Sequence, residues 1–167
     1  MTEPRWLNEE EACMWRSFRL MWMRLDQVVE QQLSAESGLS GADYALLVPL
    51  SEATDEGLRA RDLARGVSWD RSRLSHQLRR MQERGLVERR ECPTDARGTI
   101  FALTPAGHAA IERAAPGHVE MVRDVFVDVM TPEEIATLSE ISRRVLSRID
   151  AKTLARIEKA QCEGAGD

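Results

Sequence analysis

Between residues 8 and 35, apolar side chains fall three and four positions apart: Met14, Phe18, Met21, Leu25 and Val28, with Trp15, Trp22 and Val29 beside them. The spacing predicts a long helix with a wide apolar stripe. Glu9, Glu10 and Glu11 stand at its start, where carboxylates suit the positive end of the helix dipole. Gly38 interrupts the pattern. Ser40, with Asp43 three residues on and Tyr44, Ala45, Leu46 and Leu47 behind it, reads as the N-cap of a second helix over 41–53. Pro49 lies inside that helix and is expected to kink or shorten it. Residues 52–58 are polar and predict a loop.

A short helix is predicted over 59–65, with Leu63 and Ala64 inward and Gly66 and Val67 as the turn after it. Ser68 then reads as the cap of a third helix. On its wheel Leu74, Leu78 and Met81 share one face, with Val67 on the same side. Ser68, Trp69, Ser72, Ser75, His76 and Arg79 fall on or near the opposite face. Gly85 suits the residue just past the helix end, because glycine tolerates the left-handed conformation. Leu86–Cys92 and Thr99–Leu103 carry β-formers, and Pro93, Asp95 and Gly98 between them are turn residues, so a β-hairpin is predicted. Residues 105–130 are helical again, with Val119, Val122, Val125, Phe126 and Val129 apolar and Pro116 expected to break or kink the segment. Thr131, Pro132 and Glu134 form a capping box with proline at the first helical position. Ile135, Leu138, Ile141, Val145 and Ile149 follow as the buried stripe of the last helix, and 160–167 are expected to fray.

These elements describe a mainly α fold with a small β-hairpin. Helices 41–53, 59–65 and 68–85, followed by the hairpin, make a winged helix-turn-helix over 38–104. A scarcity of aromatic residues (5%) alongside plentiful Ala, Leu, Arg and Glu favours helices. The chain's net charge of −5 argues weakly against nucleic acid, but the distribution reverses that. Residues 57–104 hold eleven arginines against six acids, so this segment carries +5 and the remainder −10. A basic segment between acidic flanks is an electrostatic footprint for a polyanion.

The third helix supplies the chemistry. An α-helix fits the DNA major groove, and small polar residues near its N-terminus let the backbone come close. Ser68, Ser72 and Ser75 are such residues, able to donate to phosphates or base edges. Arg71, Arg73 and Arg79 can reach phosphate oxygens or guanine O6 and N7, and His76 can donate from the outer face. Asp70 is out of place on a groove-facing element and is expected to act as a local cap or dipole partner. Trp69 is expected to pack rather than face DNA. At the hairpin tip Asp95 and Arg97 stand two apart. An arginine held by a neighbouring carboxylate is preorganised to enter a narrow minor groove.

The arrangement resembles the MarR family of bacterial transcription regulators. The resemblance is carried by Leu74-Ser75-His76-Gln77-Leu78-Arg79-Arg80-Met81, then Glu83-Arg84-Gly85-Leu86-Val87-Glu88-Arg89, then Asp95-Ala96-Arg97, then Leu103-Thr104-Pro105-Ala106-Gly107. With the flanking helices it covers about residues 8–150. It implies a sequence-specific DNA-binding regulator, by family default a repressor, acting as an obligate homodimer. Segments 1–37 and 105–160 would then form a helical dimerisation domain. Amphipathic helices with wide stripes outside a small winged module independently call for a partner surface. A two-fold dimer would read a pseudo-palindromic double-stranded operator with half-sites about one helical turn apart.

The resemblance also implies control by a small aromatic or phenolic ligand bound between the two domains. Candidate lining residues are Trp15, Phe18, Trp22, Tyr44 and Leu47, with Arg16 and Arg19 as anion partners; packing in a core or interface is the competing role for these residues. A cysteine-based redox sensor is the alternative, since peroxide-sensing relatives carry a reactive cysteine where Cys13 falls. Those sensors hold it with two tyrosines, whereas this chain has only Tyr44, and Arg16 is the one obvious cation nearby. A non-sequence-specific architectural DNA binder is a further alternative, disfavoured by the acidic flanks. No catalytic Ser/His/Asp set, carboxylate pair or phosphate loop stands out, so neither an enzyme nor a cofactor is expected. Three scattered cysteines, and His76, His108 and His118 apart from one another, predict neither disulfides nor metal. With no apolar run near the ~18 residues of a membrane span and an acidic N-terminus unlike a signal peptide, a cytoplasmic protein without a membrane partner is expected.

Overall fold

The structure, a computed structural model, describes residues 3–53, 57–92 and 95–163, without the side chains of 92, 95–98, 151, 152 and 154–163. It is mainly helical with a three-stranded antiparallel sheet, as the sequence predicts. Helix α1 (Glu9–Ser37) starts at Asn8, whose side chain and that of Glu11 cap each other's backbone amides at 2.8 and 2.9 Å. It ends at Gly38 in the left-handed conformation. Helix α2 (Gly41–Glu52) begins at the expected Ser40–Asp43 capping box. Pro49 sits within α2 without ending it.

Strand β1 (Leu58–Arg59) corrects the expected loop over 52–58 at its last residue. Residues 54–56 of that loop lie outside the described residues. Two residues carry no period, so this strand had no sequence signal of its own; it exists because β3 offers it an edge. Leu58 pairs with Phe101 and Arg59 with Ile100. Helix α3 (Ala60–Gly66) follows, then α4 (Arg71–Glu83). The hairpin is β2 (Val87–Cys92) and β3 (Asp95–Leu103), giving the sheet order β1-β3-β2. The register runs from Val87 opposite Leu103 to Glu91 opposite Thr99 and shifts before Cys92. Strand β3 is longer than the expected 99–103 because its first residues continue the pairing.

Helix α5 (Pro105–Val122) runs through Pro116 unbroken, which corrects the expected break. Proline removes one intrahelical hydrogen bond, and its ring is on the exposed side here. The irregularity comes later, as a π-helical turn at Arg123–Val127.

Two joints place α4 against the sheet and α5. At the end of α4, Gly85 (φ 70°) donates to Gln82 O at 2.9 Å and Leu86 donates to Met81 O at 2.9 Å. This is the paired closure of a glycine-terminated helix, with Leu86 folded back over Met81. At the start of α5, Thr104 Oγ1 donates to Gly85 O at 2.5 Å and accepts from Gly107 N at 3.0 Å. Gly107 passes so close to Leu86 that a Cβ would collide with the Leu86 carbonyl oxygen. The Thr104 and Gly107 of the sequence motif are therefore a backbone joint between helix and hairpin.

The core of residues 1–122 joins Leu33 of α1, Leu46, Leu47 and Leu50 of α2, Leu63, and Leu74, Leu78 and Met81 of α4 to Val87, Phe101, Leu103 and Ile111. Leu33 is the one buried residue of α1. Met14, Trp15, Phe18, Met21 and Trp22 are all exposed in the single chain.

Residues from Arg123 onward form a second compact unit. Its helix α6 (Pro132–Glu163) opens on the expected capping box, with Thr131 N donating to Glu134 Oε2 at 2.8 Å. The expected fraying from 160 is not seen up to Glu163, and 164–167 lie outside the described residues. Ile135, Ile141, Val145 and Ile149, expected to be buried, are exposed in the single chain. No helix among the described residues is long and apolar enough to cross a membrane.

Candidate nucleic-acid interface

Helices α3 and α4 are joined by a turn that fixes the approach of α4. Ser68 N donates to Arg65 O at 3.2 Å and Trp69 N donates to Ala64 O at 2.9 Å. This closure of α3 normally uses glycine; here Ser68 adopts it at φ 55°. Ser68 is therefore not the cap of α4, as the sequence suggested. The cap is Asp70, whose Oδ1 accepts from Arg73 N at 2.9 Å. The carboxylate that looked misplaced on a groove-facing helix satisfies an orphan amide and the helix dipole. α4 begins at Arg71 because the left-handed Ser68 cannot be helical.

Within α4, Leu74, Gln77, Leu78 and Met81 are buried, while Arg71, Ser72, Arg73, Ser75, His76 and Arg79 are exposed. At 100° per residue, Ser72, His76 and Arg79 lie opposite the buried stripe, with Arg71 and Arg73 on its flanks. Arg71, Arg79 and Arg80 make no ion pair among the described residues, so their charge is available to a polyanion. Trp69 is half-buried and packs against the core as expected, with the Arg73 guanidinium carbon 4.2 Å from its ring centre. The backbone of Asp95 and Arg97 is the first part of β3; their side chains lie outside the described residues.

The orientation of α4 depends on residues that sequence reasoning read only as a cap or passed over. Asp43 is 1% exposed. Its Oδ1 accepts from Gln77 Nε2 at 2.7 Å, and its Oδ2 accepts from Arg84 Nη1 at 2.6 Å and from Ser40 N at 2.9 Å. Arg84 also donates to Gly38 O at 2.9 Å. One buried carboxylate thus ties the middle and the end of α4 to the junction of α1 and α2. Burial raises the Asp43 pKa, but the hydrogen bonds from Ser40 and Arg84 outweigh it and hold it below the usual carboxylate value. Gln77 shares the wheel face of Leu74, Leu78 and Met81; a polar residue on that stripe was the available signal.

The expected ligand residues separate. Trp15 and Phe18 stack on each other on α1, with ring centres 5.9 Å apart. Trp15, Arg16, Phe18, Arg19 and Trp22 are exposed, and Leu47 is fully enclosed in the core. Tyr44 instead meets His118 of α5, ring centres 4.4 Å apart. Burial raises the Tyr44 pKa and lowers that of His118. His118 Nδ1 and Gln32 Oε1 are buried without a hydrogen-bond partner among the described residues. Cys13 is exposed on the first turns of α1. No group of three metal-ligating side chains occurs among the described residues.

A basic helix capped at its start by Asp70 and tied at its middle and end to the buried Asp43, beside a β-hairpin, defines a winged helix-turn-helix DNA-binding protein. The sequence model of the MarR family matches residues 37–98. Sco3205, a MarR-family transcriptional regulator from Streptomyces coelicolor solved in complex with DNA, is 41% identical, with 87% of this chain and 91% of that one covered at a TM-score of 0.82. AbsC, another MarR-family regulator of Streptomyces coelicolor, is 35% identical over 89% of this chain and 99% of its own, at a TM-score of 0.85. An uncharacterised helix-turn-helix regulator of Bacillus cereus is 30% identical over 141 residues, 81% of this chain and 92% of the relative. The chain belongs to the MarR family and is a DNA-binding transcription regulator.

Proposed function

We propose that the chain acts as a homodimer on a pseudo-palindromic operator, represses transcription by occupying it, and releases it on binding a small aromatic acid. The observation that carries the dimer is the apolar face of α1. Met14, Trp15, Phe18, Met21 and Trp22 are all at least 40% exposed. A contiguous apolar surface of this kind marks a docking face. Ile141, Val145 and Ile149 present a second such face on α6. Segments 1–37 and 105–160 are assigned to the dimerisation domain, and 38–104 to DNA.

The ligand reading is supported by His118 Nδ1, on the ring that meets Tyr44, and by Gln32 Oε1, both buried without a hydrogen-bond partner among the described residues. A phenolic acid would stack on the rings and satisfy those atoms. The redox alternative draws no support from Tyr44, which engages His118 rather than a cysteine. The test is Phe18→Glu with Trp22→Glu in the full chain. Both side chains are exposed, so a monomer is expected to keep its helical circular dichroism while light scattering shows half the parent mass and operator affinity collapses. A variant that stays dimeric would overturn the assignment.

A further inference from the structure

We propose that Trp69 is a positioning residue for DNA specificity: its indole face holds Arg73 so that the guanidinium edge reads one guanine in each half-site. The proposal rests on α4 being the element that meets DNA.

Both partners are fixed. Trp69 is packed against the core, and its amide is bonded to Ala64 O at 2.9 Å. The left-handed Ser68 before it sets the direction in which the indole leaves the turn. Arg73 is anchored through its own amide, 2.9 Å from Asp70 Oδ1. The guanidinium carbon then lies 4.2 Å from the ring centre. An arginine side chain ordinarily gives up rotamer freedom when it is immobilised. Here the restriction is already made in the free protein.

The stack uses the face of the guanidinium. Its N–H groups project from the edge, so the cation–π contact consumes none of the donors. A planar fork of two donors matches guanine O6 and N7. A phosphate would accept the same fork, but the Asp70 carboxylate at the adjoining helix start repels one. Asp70 makes no ion pair with Arg73 among the described residues, so the Arg73 side chain does not offset it at that edge. Trp69, Asp70, Ser72, Arg73 and His76 line one shallow depression on this surface. A neutral, acceptor-rich base edge is the partner this charge pattern admits.

The test is selection of bound sites from random DNA by the full chain and by Arg73→Ala, Trp69→Phe and Trp69→Leu, followed by competition with sites changed at single positions. The parent is expected to prefer guanine at one symmetry-related pair of positions by about tenfold, within the range of one bidentate contact. Arg73→Ala should erase that preference. Trp69→Leu should erode it at the same pair and leave the other positions as they were, while Trp69→Phe, which keeps a ring face, should retain most of it. The proposal is overturned if Arg73→Ala lowers affinity for all sequences alike, which is the signature of a phosphate contact. It is also overturned if Trp69 and Arg73 control different positions, or if Trp69→Leu matches the parent. Because Trp69→Phe preserves the packing, it stays informative should Trp69→Leu fail to fold. A parent that selects no sequence at all would instead defeat the assignment of α4.

Discussion

Replacing Asp43 with asparagine removes one buried negative charge and almost no volume. In the parent, Oδ2 faces Arg84 Nη1 at 2.6 Å and Ser40 N at 2.9 Å, while Oδ1 faces Gln77 Nε2 at 2.7 Å. Asparagine has one acceptor oxygen. If it faces Arg84 and Ser40, its NH2 meets the Gln77 NH2, and Gln77 must turn its amide over to accept. The geometry then survives, but the bonds from Arg84 and Ser40 lose the carboxylate charge. Bonds to charged groups contribute about 1.5–3 kcal/mol each and neutral ones about 1. Arg84 is 41% exposed, so solvent already screens its share. The expected loss is about 2 kcal/mol, or roughly 4–8 °C in Tm for a chain of this size. Denaturant titration at fixed protein concentration measures it. The pH dependence separates charge from packing. The folded pKa of Asp43 is depressed, so its contribution is full above the unfolded value near ~3.9 and is lost as pH falls through the folded value. The gap between parent and Asp43→Asn should be constant from about pH 5 upward and narrow below about pH 4. A variant as stable as the parent at pH 7, or a gap equally wide at pH 3, would refute the clamp.

Three other perturbations probe the frame around α4. Ser68→Gly relieves a left-handed serine that costs about 1 kcal/mol, partly offset by glycine's unfolded-state entropy, so thermal melts should show a small gain; a loss would refute the strain. Gly107→Ala drives a Cβ into the Leu86 carbonyl oxygen. That oxygen is backbone and cannot swing aside, so denaturant unfolding should show a loss of about 3 kcal/mol, the upper end for overpacking, and an unaffected variant would show that α5 does not pack there as described. Arg97→Ala should weaken operator binding with little change in Tm and lower the salt slope by about one; an unchanged slope would remove the wing contact.

The helices were legible wherever burial or capping imposed a period. α2 and α6 begin where Ser40 and the Thr131–Glu134 box place them, and Gly85 ends α4 as glycine chemistry demands. Ser68 misled because serine suits both an N-cap and, more rarely, a left-handed closure. The bonds from Ser68 N to Arg65 O and from Trp69 N to Ala64 O decide between them. Pro116 misled because the cost of one lost bond is smaller than that of ending a helix whose neighbours Ala110, Ile111 and Ala114 are already packed. The exposed face of α4 was readable from its wheel, since Ser72, His76 and Arg79 oppose Leu74, Leu78 and Met81. The clamp was not readable, because Gln77 and Arg84 reach Asp43 from 34 and 41 residues away. The expected grouping of Tyr44 with the tryptophans of α1 met the same limit: no local pattern pairs Tyr44 with His118.

The central claim is that α4 reads DNA from each half of a two-fold dimer. Selection of bound sites from random duplexes by the full chain, with footprinting of the enriched sequence, tests it most directly. The account predicts an inverted repeat whose half-sites are centred about one helical turn, roughly 10 base pairs, apart, and whose enrichment is lost in Arg79→Ala. An enriched site with a single asymmetric element, or enrichment that survives Arg79→Ala undiminished, would contradict it.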